Sequence, residues 1–264
     1  MKPLTRPALA LALVGLLAAS ARAHFNMLLP DKASARKGEP VTFTYQWGHP
    51  FEHELFDAPA PQSLLVIDPH GKSSILTAGL ERGAVPAAGG AKVTAYRLTF
   101  TPEERGDFVL ALDAAPIWME EDQEFLQDSV KVVLHVQAQK GWDNRAGKPF
   151  EMAPLTRPYG LEPGMAFQAQ VLAEGKPLAG ALVEVEHYNP APPKELPPDE
   201  QITRTAKTDA NGVVTATLTE PGWWCLTAAR DAGTHEHEGK AFPVRQRAIF
   251  WVFVDNKPAT RPPQ

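Results

Sequence analysis

The chain reads as an all-β protein: two β-sandwich domains behind an export signal. Three observations predict this class. Apolar residues recur with a period of two over many short runs, turn-forming residues separate those runs, and long helical periodicity is scarce. Short strands punctuated by turns favour sheets packed face to face.

Residues 1–23 read as a secretory signal peptide. Lys2 and Arg6 form the basic start, residues 8–19 the apolar middle, and Ala21-Arg22-Ala23 the small-x-small cleavage site. Cutting there leaves His24 as the first residue of a mature chain of 241 residues, enough for two domains of ordinary size. No second apolar stretch approaches the roughly 18–20 residues of a membrane-spanning helix, so no transmembrane segment is expected in the mature chain.

The first domain is expected over residues 24–140. Val41, Phe43, Tyr45 and Trp47 share one strand face, with Thr42, Thr44 and Gln46 on the other. Tyr96, Leu98 and Phe100 repeat the pattern, as do Phe108, Leu110 and Leu112, and then Val130, Val132, Leu134 and Val136. Residues 63–67 form a short apolar strand. Pro69-His70-Gly71, Arg82-Gly83 and Ala88-Gly89-Gly90 supply turns. A helical turn is expected around residues 119–126.

Residues 141–160 are punctuated by Gly and Pro and read as a linker to a second domain over residues 161–255. Met165, Phe167, Ala169 and Val171 line a strand face, and residues 181–187 form the next strand. The Pro-rich residues 189–198 are expected to be a loop, because proline gives a sheet ladder no donor. Asp209-Ala210-Asn211-Gly212 is a tight turn before the strand at 213–218. Residues 223–229 and 248–254 close the set, and the last run is apolar at every position, as in a strand covered on both faces. The tail over residues 256–264 holds three prolines and is expected to be disordered.

Composition narrows the function. Losing the three cations of the signal takes the formal charge from −5 to −8, which disfavours nucleic acid as a partner. Cys225 is the only cysteine, so no intramolecular disulfide forms, and its apolar setting predicts a buried, unreactive thiol. Export without disulfides, behind a simple signal, points to a bacterial periplasm or cell exterior. The sequence has no GxSxG elbow, P-loop, GxGxxG turn or HExxH helix, and no carboxylate pair stands out for acid–base work, so no enzyme is expected.

The candidate metal ligands are histidines. An N-terminal His24 offers one ion both its α-amine and its ring nitrogen, and an α-amine with a pKa near 7.7–8.0 yields its proton far more readily than a lysine. The competing reading is a frayed terminus that merely follows the cut. His49 and His53 follow the strand of residues 41–47, where Gly48 and Pro50 suggest an irregular loop, a usual place for functional side chains on a β scaffold. His24 reaches that loop if residues 25–29 form a strand beside it. Glu52 and Glu54 are candidate partners to orient a ligating ring. The alternative is a solvated polar loop with a histidine capping a turn. Imidazole ligands imply a borderline transition metal such as nickel, cobalt, copper or zinc. His235-Glu236-His237-Glu238 reads either as a metal-collecting loop or as a charged hairpin. His187 shares a strand face with Val183 and Val185 and reads as a hydrogen-bonded core histidine.

Two stretches go beyond generic β-structure. Residues 45–57, YQWGHPFEHELFD, follow soon after His24-Phe25, and the later GKPLAGA at 175–181 is followed by TDANGV at 208–213 and by PGWW at 221–224. Together these resemble the DUF4198 family of exported bacterial proteins associated with nickel or cobalt uptake, and the second half also resembles prealbumin-like or carboxypeptidase-regulatory-like domains. The resemblance implies two immunoglobulin-like or prealbumin-like sandwiches and a periplasmic metal-binding protein, with His24, His49 and His53 as ligands. It further implies a nickel or cobalt ion as cargo and a membrane permease as partner. Asn26 is the third mature residue, so the amine–amide–amide–imidazole site built on a third-position histidine is absent. Two other classes stay open: a copper redox protein of the histidine-brace kind, and a structural or interaction module.

Overall fold

The structure is a computed structural model that describes residues 24–256. The expected signal peptide and all of the expected tail except Asn256 lie outside the described residues. Nineteen strands are described, in the order β1 Phe25–Pro30, β2 Ser34–Ala35, β3 Val41–His49, β4 Glu54–Phe56, β5 Pro61–Ile67, β6 Ser73–Ile75, β7 Glu81–Pro86, β8 Lys92–Phe100, β9 Gly106–Ala114 and β10 Ile117–Met119. The chain continues with β11 Glu124–Val136, β12 Phe150–Pro154, β13 Met165–Ala173, β14 Lys176–Pro177, β15 Leu182–His187, β16 Arg204–Lys207, β17 Val213–Leu218, β18 Gly222–His237 and β19 Lys240–Val254. One turn of helix, α1 Asp199–Ile202, precedes β16. The all-β expectation is met.

The strands form three sheets. A five-stranded sheet runs β1-β3-β8-β7 with β4 attached to β3. A ten-stranded sheet runs β16-β15-β18-β19-β11-β9-β5-β6, with β10 and β2 attached to β11. A four-stranded sheet holds β12, β13, β14 and β17. The ten-stranded sheet therefore draws strands from both halves of the chain. Its seam is β19 running parallel to β11, from Phe125 opposite Val244 to Val132 opposite Trp251.

Alternation along β19 explains the layering. Ile249 and Trp251 join one apolar core with Phe43, Tyr45 and Leu110, beneath the five-stranded sheet. Phe250 and Val252 join the other with Phe167, Val171 and Val214, beneath the four-stranded sheet. A strand apolar at every position is what a shared middle layer requires.

Two sequence expectations meet different local structure. The expected helical turn over residues 119–126 is a hairpin between β10 and β11, with Trp118 paired to Phe125 and Gln123 in the left-handed region at φ 52°. Aromatic cross-strand pairing outweighs helical spacing over so short a run. Residues 141–160 include β12, whose Phe150 and Met152 are buried and which pairs with β13. The period-two pattern there is only five residues long and is masked by the surrounding Gly and Pro.

Candidate metal centre

The end of the five-stranded sheet is built by β1 lying antiparallel to β3. Phe25 pairs with Gly48 and Asn26 with Trp47, so the residue before β1 falls opposite His49. A buried polar network fixes that register. Asn26 is fully buried; its amide donates to Asp128 Oδ2 at 2.7 Å, and its side-chain oxygen accepts from the Tyr45 hydroxyl at 2.6 Å. Its backbone carbonyl accepts from Trp251 Nε1 at 3.1 Å. Asp128 is held in turn by a two-pronged pair with Arg247, at 2.8 and 2.6 Å. Each member has partners, as buried polar groups require. Two residues from this anchor, His24 sits against the sheet.

His49 is placed by the β3–β4 hairpin, which pairs it directly with Glu54. Gly48 makes the hairpin possible: at φ +151° a Cβ would collide with the Glu54 carbonyl oxygen. His49 Nδ1 lies 3.0 Å from Glu54 Oε2, and the ring is 3% exposed. With the carboxylate accepting, Nδ1 carries the proton, and in the neutral ring Nε2 carries a lone pair. That Nε2 is buried and has no hydrogen-bond partner, and neither has the nearby Trp47 Nε1.

The His24 and His49 ring centroids are 4.3 Å apart with their planes at 60°. Trp47 stacks on His24 at 5.3 Å, while Phe56 lies 5.5 Å from His24 and 5.4 Å from His49. The two imidazoles thus meet in an aromatic recess, with a carboxylate behind the second. A low-dielectric wall of this kind strengthens whatever polar interaction the nitrogens make.

The loop between His49 and Glu54 is tied to the second half of the chain. Phe51 N–H donates to Glu186 Oε1 at 3.1 Å, and Thr203 donates to Glu186 Oε2 at 2.6 Å. Burial pushes the Glu186 carboxyl up to about 8. Asn189 bonds the backbone of both Pro50 and Phe51.

The structure brings His24 and His49 together and keeps His53 apart. His53 Nδ1 meets the Asn189 carbonyl at 2.9 Å, and its ring lies 5.9 Å from Tyr188. It borders a groove of about 410 Å³ with Thr42, Thr44 and Gln46, the face of β3 opposite Trp47 and His49. The physical cause is the hairpin tip, where His53 takes φ 53° and turns away. Of the two acids considered as ring partners, Glu54 is the one bonded to His49. His235 and His237 lie at the end of the β18–β19 hairpin, packed around Trp118, Phe125 and Phe242. His187 is a core histidine, its Nε2 3.0 Å from the Pro221 carbonyl. Cys225 is fully buried, and burial raises its thiol well above the usual range.

Sequence reasoning placed Tyr45 on a strand face and Asn26 near the mature start but did not find the network that joins them to Asp128 and Arg247, because nothing local links residues 102 and 119 positions apart. Trp47 and Phe56 were legible only as apolar positions.

Among the described residues no three His, Cys, Asp or Glu side chains converge as a metal cage. The recess supplies two imidazoles. A third nitrogen at the same place is available by one route, cleavage before His24, which creates an α-amine on the residue already facing His49. The residues therefore fit a nitrogen-ligated ion when the mature terminus is present.

A domain of unknown function, DUF4198, matches residues 21–231. The chain belongs to the DUF4198 family. The match takes in His24, His49 and Glu54. No curated protein matches the sequence. Solved structures with some likeness include a trypsin-activated alpha-2-macroglobulin from Escherichia coli, 13% identical, with a TM-score of 0.25. The alignment covers 89% of this chain but only 16% of that one, so the chain spans about one-sixth of the macroglobulin. A marsupial T cell receptor is 12% identical with a TM-score of 0.27, covering 91% of this chain and 75% of the receptor. Titin domains A168–A170 are 11% identical with a TM-score of 0.21, covering 89% and 66%. Such slight likenesses add nothing to the fold described above. Among the described residues no helix is long and apolar enough to cross a membrane.

Proposed function

We propose that this is an exported periplasmic protein that binds a transition-metal ion and presents it to an uptake system. The ion is held by the His24 α-amine and ring and by His49 Nε2. The observation that carries this reading is the buried, unpartnered Nε2 of His49, whose ring is oriented by Glu54 and lies 4.3 Å from the ring of His24. A buried acceptor without a partner is costly, on the order of 1–3 kcal/mol, and a bound ion removes that penalty. A carboxylate on the far nitrogen of a ligating histidine is the usual means of fixing its tautomer and raising its basicity.

Nickel or cobalt is the cargo we favour, with a membrane permease receiving it, and binding rather than catalysis is the role. The support is the family's association with nickel and cobalt uptake, together with a donor set of borderline nitrogens. His53 is not needed for this centre.

A second reading has one observation in its favour. Three nitrogen donors and no thiolate suit copper, which stands highest in the affinity series. In that reading the protein is a copper redox protein of the histidine-brace kind, and the copper-loaded, reduced protein consumes oxygen.

The test is titration of nickel, cobalt and copper into protein that begins at His24, beside a variant with one residue added before it. The added residue converts the amine to an amide, so affinity is expected to fall at least tenfold. Equal affinity in the two proteins overturns the chelate. Absence of oxygen uptake by the reduced copper form removes the second reading.

A further inference from the structure

We infer that the cleft facing His24 from the ten-stranded sheet holds a hydrated divalent cation, forming a second site beside the nitrogen centre. Its role in passing cargo to that centre rests on the metal-binding reading above; the cation site itself does not.

The cleft arises where the inner face of the large sheet changes character. Beneath the five-stranded sheet that face is apolar, with Cys225, Ile249 and Trp251 in the core. Toward the end where β1 begins, the same strands present Glu184, Thr227, Arg245 and Arg247, with Asp122 above them and His24 on the opposite wall. The space they enclose is about 150 Å³.

Charge pairing leaves this cleft negative. Arg247 is engaged by Asp128, and Arg245 is engaged by Glu124 at 2.9 Å. Among the described residues neither Glu184 nor Asp122 has a salt bridge of its own; Arg245 and Arg247 also act on Glu184, but the three carboxylates lining the space outnumber its two arginines. Burial raises the Glu184 carboxyl, and the nearby Arg247 and Arg245 offset part of that rise.

A second observation points independently to a ligand. Thr227 lines the cleft and is 1% exposed, and its buried hydroxyl has no hydrogen-bond partner. It pairs with Glu184 on the neighbouring strand, so a buried hydroxyl and a carboxylate stand side by side. A buried hydroxyl is rarely left unsatisfied, and a ligand carrying O–H donors would satisfy it.

The cleft is roomy enough for a hydrated form. A volume of about 150 Å³ holds several waters. The donors do not converge closely enough to strip an ion bare. Divalent ions that keep most of their water and meet carboxylates through it fit such a cleft. The shared position of His24 then makes the cleft an antechamber, from which the ion exchanges water for nitrogen.

Mn²⁺ is a suitable probe, because it broadens nearby NMR signals even when it binds weakly. In protein beginning at His24, Mn²⁺ should broaden the amide signals of Thr227 and Ala229, and equally in His49→Ala. In Glu184→Gln the Mn²⁺ concentration needed should rise about tenfold, and in Thr227→Val, which preserves net charge, severalfold, the usual scale for outer-sphere partners. Broadening that is unchanged in Glu184→Gln overturns the cation site. For the antechamber role, nickel association followed by stopped flow should slow severalfold in Thr227→Val while equilibrium affinity holds. An unchanged association rate overturns that role. Failure of the nitrogen centre would show separately, as nickel affinity unaffected by His49→Ala.

Discussion

Asn26 and Asp128, 102 residues apart in sequence, share a buried hydrogen bond of 2.7 Å. That bond, with Tyr45 on the other side of the same amide, turns the start of β1 from a loose end into a fixed one. Chain termini usually fray, and the position that the sequence predicts as the mature start lies two residues before the pinned Asn26.

Replacing the anchor should release it. Asn26→Ala leaves the Tyr45 hydroxyl without its acceptor and one Asp128 oxygen without the Asn26 donor, both buried. The expected loss is about 1–3 kcal/mol. For a chain of this size each kcal/mol lowers the melting temperature by about 2–4 °C. Calorimetry reads the loss, and metal titration should show affinity falling as well, because His24 no longer holds its place.

The acid behind His49 should matter to metal binding, and the second loop histidine should not. Glu54→Gln keeps a hydrogen-bond acceptor but removes the charge, and a drop of about 10-fold in nickel affinity is expected. His53→Ala, whose ring meets the Asn189 carbonyl on the other side of β3, should leave affinity unchanged. Equilibrium titration of both variants beside the wild type checks the contrast.

Glu186 should make stability depend on pH in an unusual direction. Its folded-state value of about 8 lies above the ordinary 4.5, because burial opposes ionisation. A raised value means the folded state holds the proton more tightly, so the contribution is whole below about 4.5 and is lost as pH climbs to about 8. Wild-type stability should therefore fall by up to a few kcal/mol across that window, at about 1.4 kcal/mol per unit of difference. Glu186→Gln retains an acceptor for Phe51 N–H and should flatten the profile. Chemical denaturation at pH 5 and pH 8 measures it.

Much of the fold was legible because burial and period two coincide. Val41, Phe43 and Tyr45 are buried on one face of β3, as their spacing requires. The apolar run at 248–254 announced a strand covered on both sides, and β19 is that strand. What could not be read was which strand lies beside which. The parallel pairing of β19 with β11 joins residues more than a hundred positions apart, and no local pattern encodes it. The site divides the same way. His24 and His49 were visible as residue types at a terminus and in a Gly/Pro loop, and the register of β1 on β3 brings them face to face. His53 shared their composition and neighbourhood, yet the left-handed turn at the hairpin tip sends it elsewhere.

The unbroken middle sheet limits how this molecule can move. Eight consecutive residue pairs between β11 and β19 would have to separate before the two halves could swing apart. A hinged, clamshell mode of capture and release is therefore closed to it. On the function proposed above, an ion exchanged beside His24 would come and go while the scaffold stays still, with the traffic governed by the small recess and not by whole-body closure.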